Sequence, residues 1–287
     1  SLSSDNAPNK DMIAKLGGID PLVGLLVSGT TEKSQICCAG ALAALAAKHS
    51  ENRQLIAKRL VGLLGSSAAR APDRAVRVLL TCSLFTSDSP SNQVAIAKGG
   101  GIPPLITCLG SGGAATQAQA AHALLCLAID NATTQILIAK GNGIPPLISM
   151  VKRSAPATQE YAARALWHLA SQAENQVLIS DAGGIKPLVG MLSTEGENAA
   201  ELAAIIMVRL SRANQEVSTM IAETGGIIPL VKLVTNGTPG GQQQAASALS
   251  ELALVSKNRD LIADAGGIEP LIKLMSSPTA GSPETAA

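Results

Sequence analysis

The residues with the most recognition chemistry in this sequence fall in one short stretch: Tyr161, Arg164, Trp167 and His168. Spaced at i, i+3, i+6 and i+7, they crowd one helix. Tyr, Trp and Arg are the side chains most enriched where proteins grip partners, because each offers a large flat surface with a polar tip. His122 and Cys126 form a second i, i+4 pair, and Arg209 and Glu251 supply single charges further along. Each also has a plainer reading. Trp167 covers a seam between helices, Arg209 and Glu251 pair with each other at little gain in stability, and His168 is solvated or packed.

Catalytic constellations are not found. The sequence has no nucleophile elbow and no His-Glu-x-x-His. Gly99-Gly100-Gly101 and Gly240-Gly241 precede no Lys-Ser or Lys-Thr pair, so neither reads as a phosphate loop. Glu160 and Glu201 read as solvated carboxylates rather than an acid–base pair. Cys37, Cys38, Cys82, Cys108 and Cys126 contain no Cys-x-x-Cys, and His49, His122 and His168 stand at no ligand spacing from them. The expectation is no catalytic residue, no metal and no cofactor, with the cysteines acting mostly as small buried hydrophobes in a reducing compartment.

Composition narrows the class further. Lys plus Arg number 22 against 21 Asp plus Glu, a net charge of +1 that leaves no footprint for nucleic acid. Aromatic residues are 1% of the 287, which also removes base-stacking platforms. Hydrophobic residues are 46%, mostly Ala, Leu, Ile and Val, as small helices stacked closely would need. Gly, Pro or charges interrupt every apolar run before membrane-spanning length, so no membrane insertion is expected.

The elements that must position these side chains recur with a fixed period. An Ile followed by Ala or Ser stands at Ile13, Ile56, Ile96, Ile138, Ile179, Ile221 and Ile262, in steps of 40 to 43 residues. A Gly-Gly-Ile-x-Pro-Leu anchor follows at 17–22, 100–105, 183–188, 225–230 and 266–271, with Asn142-Gly143-Ile144-Pro145-Pro146-Leu147 as a variant. The glycines end a first helix in the left-handed cap conformation. The Pro then fits the first turn of a second helix, where its missing N–H is no loss. A polar turn and a long Ala- and Leu-rich third helix complete the unit; these long helices are expected near 32–48, 72–86, 114–129, 155–171, 197–212 and 240–255. The second unit lacks the anchor and reads Lys58-Arg59-Leu60-Val61-Gly62-Leu63-Leu64, so an irregularity is expected at 56–72, with the first two helices tightened or merged.

In period, helix count and anchor, residues 10–275 resemble the armadillo repeat family. The resemblance implies an all-α, right-handed α-solenoid of about six full three-helix repeats plus a C-terminal partial repeat, in one domain over 1–275. The units run at about 9–48, 50–86, 90–129, 132–171, 173–212, 215–255 and 257–275, with 276–287 as a flexible Ser/Pro/Ala tail. It implies that the third helices line a concave groove, where many members carry an Asn that binds the backbone of an extended peptide and a Trp four residues earlier. The Asn position here holds Ala44, Ser83, Cys126, His168, Arg209 and Glu251, and the Trp position Gly40, Leu79, His122, Arg164, Ile205 and Ser247. The generic backbone grip is therefore missing, which weakens an importin-like reading.

The expected function is a scaffold or adaptor that binds a protein or peptide partner through Tyr161, Arg164, Trp167, His168, Arg209, Glu251, His122 and Cys126. The alternative is the recognition arm of a larger protein, such as an armadillo-bearing ubiquitin ligase. Gly40 and Ala44 would also admit a partner helix closely. The partial last unit is covered by further chain or by another chain at the C-terminal end, or its short helix pair caps the stack alone. The resemblance implies a eukaryotic, cytoplasmic protein, with the nucleus, or an organelle after removal of a targeting segment, as the alternative. The start at Ser1 without Met fits either a fragment or a processed product.

Overall fold

The computed structural model describes residues 6–28, 32–64, 90–193, 197–212 and 214–276. The long helix expected at 72–86, the tail at 277–287, and with them Phe85, Cys82, Ser83 and Leu79, lie outside the described residues.

The helices follow the repeat. The first unit has α1 (Ala7–Lys15), α2 (Ile19–Ser28) and α3 (Glu32–Ala46). The second begins with α4 (Ser50–Leu64). The third has α5 (Pro90–Ile96), a wide turn over Ala97–Gly101, α6 (Ile102–Ser111) and α7 (Ala114–Ala128). The fourth has α8 (Ala132–Lys140), α9 (Ile144–Arg153) and α10 (Pro156–Leu169). The fifth has α11 (Ala173–Asp181), α12 (Ile185–Leu192) and α13 (Glu197–Ser211). The sixth has α14 (Gln215–Glu223), α15 (Ile227–Asn236) and α16 (Pro239–Leu252), and α17 (Ser256–Asp264) and α18 (Ile268–Met275) follow. No strand occurs among the described residues.

The break between first and second helices has one construction throughout. In the sixth unit the Gly225 N–H donates to Ala222 O at 3.0 Å and the Gly226 N–H to Ile221 O at 2.9 Å. This is the paired closure that satisfies carbonyls left open at a helix end. Gly225 takes φ 87°, and the two helices diverge by 82°. The second glycine is needed for a different reason. A Cβ on Gly226 would stand 2.8 Å from Ile221 Cγ2 and 3.0 Å from Ile221 O. In the variant slot Asn142 takes the left-handed position at φ 64°, as Asn tolerates, while Gly143 keeps the second. Where the anchor is missing, α4 runs unbroken from Ser50 to Leu64: the first two helices of the second unit merge, as far as the described residues go.

A second regularity joins five of the first helices, α4, α8, α11, α14 and α17, to the long helix before them. Three residues ahead of the recurring Ile, a side-chain donor reaches back to the end of that helix. Arg53 donates to Ala46 O, Gln135 to Ala128 O, Gln176 to Ala170 O, Ser218 to Ser211 O and Arg259 to Ala253 O. The residue before it often adds another bond. Asn52 donates to Leu45 O and to Lys10 O, Thr134 to Leu127 O, and Asn258 to Leu252 O and Ser218 O. Terminal carbonyls of a buried helix end would otherwise lack partners.

The chain divides into two compact units. In the first, Ser1–Met150 with Ser154–Leu169, α2 packs on α3, α6 on α7, and α7 on α10 around Leu42, Leu60, Leu105, Leu124 and Leu166. In the second, Val151–Arg153 with Ala170–Ala287, α12 packs on α13, α13 on α16, and α15 on α16 and α18, around Leu188, Ile206, Leu230 and Leu249.

Candidate functional site

Within the first unit the long helices α7 and α10 lie side by side. Their small residues allow this: Ala120, Ala121, Ala162 and Ala163 are fully buried between neighbours. The polar remainder of each helix is thereby turned outward, and it brings predicted site residues together. The rings of His122 and Tyr161 stack across the two helices, with centroids 4.6 Å apart and an angle of 28° between planes. Burial lowers the pKa of His122 below its ordinary 6.5, so near neutral pH the imidazole is uncharged against the phenol.

One turn further along α10, the Arg164 Nε donates to Glu160 Oε1 at 2.9 Å. Both side chains remain largely in solvent, so the pair holds the guanidinium in place without removing it from reach. Trp167 is half-buried and tilts against His168, with centroids 4.5 Å apart. Tyr161, Arg164 and Trp167 thus share a face of α10, with His122 beside it.

Two predicted residues are placed differently. Cys126 and His168 are buried, so neither belongs to an exposed partner-binding row. Both lie in the last turn of their helix, which is buried on nearly every side: Leu124, Leu125, Leu127 and Ala128 around Cys126, and Leu166, Leu169 and Ala170 around His168. Cys126 offers its backbone carbonyl instead, which accepts from Gln93 Nε2 at 2.9 Å.

In the second unit, the expected pairing of Arg209 with Glu251 is replaced by two other contacts. Glu251 pairs with Arg212, Nε to Oε1 at 3.5 Å, and Arg209 donates to Ser171 Oγ. One turn separates Arg209 from Arg212, and the turn nearer the helix end meets Glu251. Glu201 accepts from Thr238 Oγ1 at 3.2 Å, beside the first turn of α16, where Thr238 Oγ1 itself accepts from the Gly241 N–H. Gly240 makes room, since a Cβ there would stand 2.8 Å from Glu201 Oε1. Both carboxylates read as solvated are thus engaged, Glu160 by Arg164 and Glu201 by a helix start, where negative charge is favoured.

Of the described cysteines, Cys37 is exposed and Cys38, Cys108 and Cys126 are buried, and none of the four is in a disulfide. Among the described residues no three His, Cys, Asp or Glu side chains gather as metal ligands would, and no single helix is long and apolar enough to cross a membrane. The sequence reading missed the row of donors before each Ile. Its signal is visible in the chain, as Asn52-Arg53, Thr134-Gln135, Asn175-Gln176 and Asn258-Arg259, while Gln93 of the similar pair Asn92-Gln93 donates forward to Cys126 O and Ile129 O.

Residues 214–254, which comprise α14, α15 and α16, match the model of the armadillo/β-catenin-like repeat. The crystal structure of an engineered protein is similar at 31% identity and a TM-score of 0.80, covering 96% of this chain and 67% of that one. A designed armadillo repeat protein is similar in fold, at 22% identity and TM-score 0.71, covering 77% of this chain and 92% of its own. Another designed armadillo repeat protein, in complex with the peptide (KR)4, is similar at 22% identity and TM-score 0.68, with the same coverage. No curated protein matches the sequence. The chain belongs to the armadillo repeat family, as an all-α solenoid of three-helix repeats.

Proposed function

We propose that this protein is a binding scaffold rather than an enzyme, and that it takes a protein or peptide partner on the long-helix face of its first unit. The observation that carries this reading is the grouping of His122, Tyr161, Arg164 and Trp167 across α7 and α10. It combines a stacked ring pair, a guanidinium held by Glu160, and a half-buried indole. Such flat, pre-positioned side chains lose little freedom on binding. Arg209 and Glu251 on the second unit are a further polar surface for the same kind of contact.

The peptide-bound designed neighbour supports peptides as one class of ligand. A purely basic peptide fits this chain less well. No Asn stands in the family's ladder position, and Glu160, Glu201 and Glu251 already have partners. A mixed apolar and acidic segment, with a carboxylate for Arg164 and an apolar residue against Trp167, suits the face better. We propose a cytoplasmic location, in line with described cysteines that form no disulfide.

The test is a peptide-display selection on the purified chain, followed by affinity measurement for the selected peptides. Trp167→Ala and Arg164→Ala are expected to weaken binding about tenfold or more while helical content by circular dichroism stays unchanged. Selected peptides that bind both variants as tightly as the parent would exclude this face. The (KR)4 peptide serves as the comparison and is expected to bind weakly.

A further inference from the structure

Two residues after each recurring Ile stands a charged residue, and its sign follows the division into units. In the first unit the position holds Lys15, Lys58, Lys98 and Lys140; in the second it holds Asp181, Glu223 and Asp264. All seven side chains are exposed.

The dipole of a helix favours a lysine in its last turn, where Lys15 and Lys140 stand. The acids run against that rule. Asp181, Glu223 and Asp264 are the last residues of α11, α14 and α17, where negative charge is disfavoured. Helix stability therefore does not account for the second row.

Within each unit the first helices that carry a row are neighbours. In the first, α1 packs on α4, α4 on α5 and on the turn that holds Lys98, and α5 and that turn on α8. In the second, Ser180 of α11 reaches Met220 of α14, Oγ to Sδ at 3.4 Å, and Lys257 of α17 reaches Glu223 of α14, Nζ to Oε1 at 3.2 Å. Other bases on the first helices of the first unit are engaged: Lys10 Nζ donates to Ala47 O, Arg53 Nε to Ala46 O, and Arg59 pairs with Asp20. None of the four row lysines is paired with a described residue.

Three residues before most of these charges, and so beside them on the helix, stands an aliphatic side chain. Met12, Leu55 and Leu137 precede lysines, and Leu178, Met220 and Leu261 precede the acids. Met12, Leu178 and Leu261 are exposed, and the other three partly so.

We infer that copies of this chain associate by laying the lysine row of one on the acid row of another. Both rows are spaced by the same repeat, so Lys58, Lys98 and Lys140 meet Asp181, Glu223 and Asp264 in step, with aliphatic side chains beside them. The charges set the register and the apolar contact adds affinity. Glu223 gives up only an exposed pair with Lys257, which costs little. The contact does not involve the partner face on α7 and α10.

Analytical ultracentrifugation of the full chain tests it. At about 10 mM salt the average mass is expected to rise with concentration above the 29.0 kDa of one chain, and at about 1 M salt to return to it. Two triple variants each remove one row: Lys58→Gln with Lys98→Gln and Lys140→Gln, and Asp181→Asn with Glu223→Gln and Asp264→Asn. Each alone is expected to stay monomeric with unchanged helical content. Mixed, they are expected to pair, because each keeps the row the other lacks. Lys33→Gln with Lys152→Gln and Arg153→Gln removes as much charge at exposed positions elsewhere and is expected to associate as the parent does. Should a row triple fail to fold, Lys98→Glu and Asp181→Lys singly are expected to weaken association about fivefold or more. A parent that is monomeric at every concentration in low salt overturns the inference. So does association that ignores salt, that survives removal of either row, or that is lost in the control triple, as do folded row triples that fail to pair when mixed.

Discussion

The imidazole of His122 lies against the phenol of Tyr161, ring on ring, bridging the long helices α7 and α10. Burial lowers the pKa of His122, so the unfolded chain takes up this proton at a higher pH than the folded one. The contribution to stability is therefore complete above the ordinary value of 6.5 and declines as pH falls through it. His122→Gln is expected to lose less stability than the parent between about pH 7.5 and about pH 5.5, read as urea midpoints. Equal losses would show that the histidine is not desolvated as described.

Asn258 tests the donors that tie first helices to what precedes them. Its Nδ2 donates to Leu252 O and Ser218 O inside the second unit. Asn258→Ala leaves both buried carbonyls without that partner and is expected to destabilise by about 1–3 kcal/mol. Chemical denaturation measures this, and a cost below the error of the fit would mean that water or a shifted neighbour replaces the amide.

The two glycines of a break are expected to fail in different ways. Gly225→Ala forces a Cβ into φ 87°, at about 1–2 kcal/mol. Gly226→Ala retains an ordinary backbone angle but drives its Cβ into Ile221 Cγ2 and O, so the helix junction must open. Thermal melts should show both as destabilised. A crystal structure of the second should show a displaced Ile221, and an unmoved Ile221 would contradict the account.

Thiol reactivity separates Cys37 from the buried cysteines. In the native protein Cys37 is expected to react with a maleimide in minutes, while Cys108 and Cys126 stay protected until denaturant is added. Peptide mapping by mass spectrometry after brief labelling gives the answer, and native labelling at Cys126 would place α7 differently.

Much of this architecture was readable in the chain because its cause is local. A glycine break, a proline in the next turn and a return of Ala and Leu at helical spacing each act over a few residues, and their recurrence fixed the helix order. The merging of two helices into α4 followed from the missing anchor at Lys58–Leu64. The site was less legible. Tyr161, Arg164 and Trp167 remain at least partly exposed, but Cys126 and His168 fall in the last turns of their helices, where nearly every side chain is buried. The choice of Arg212 over Arg209 as the partner of Glu251 depends on how one helix is set against the next, which no spacing within a single helix encodes.

The hydrogen bonds from one first helix to the one before it, Asn52 to Lys10 and Asn258 to Ser218, span 42 and 40 residues, about the length of one repeat. A segment leaving the ribosome needs only its immediate predecessor to complete those bonds. Consolidation during synthesis is then sequential, and damage to one module is felt first by the neighbours it touches.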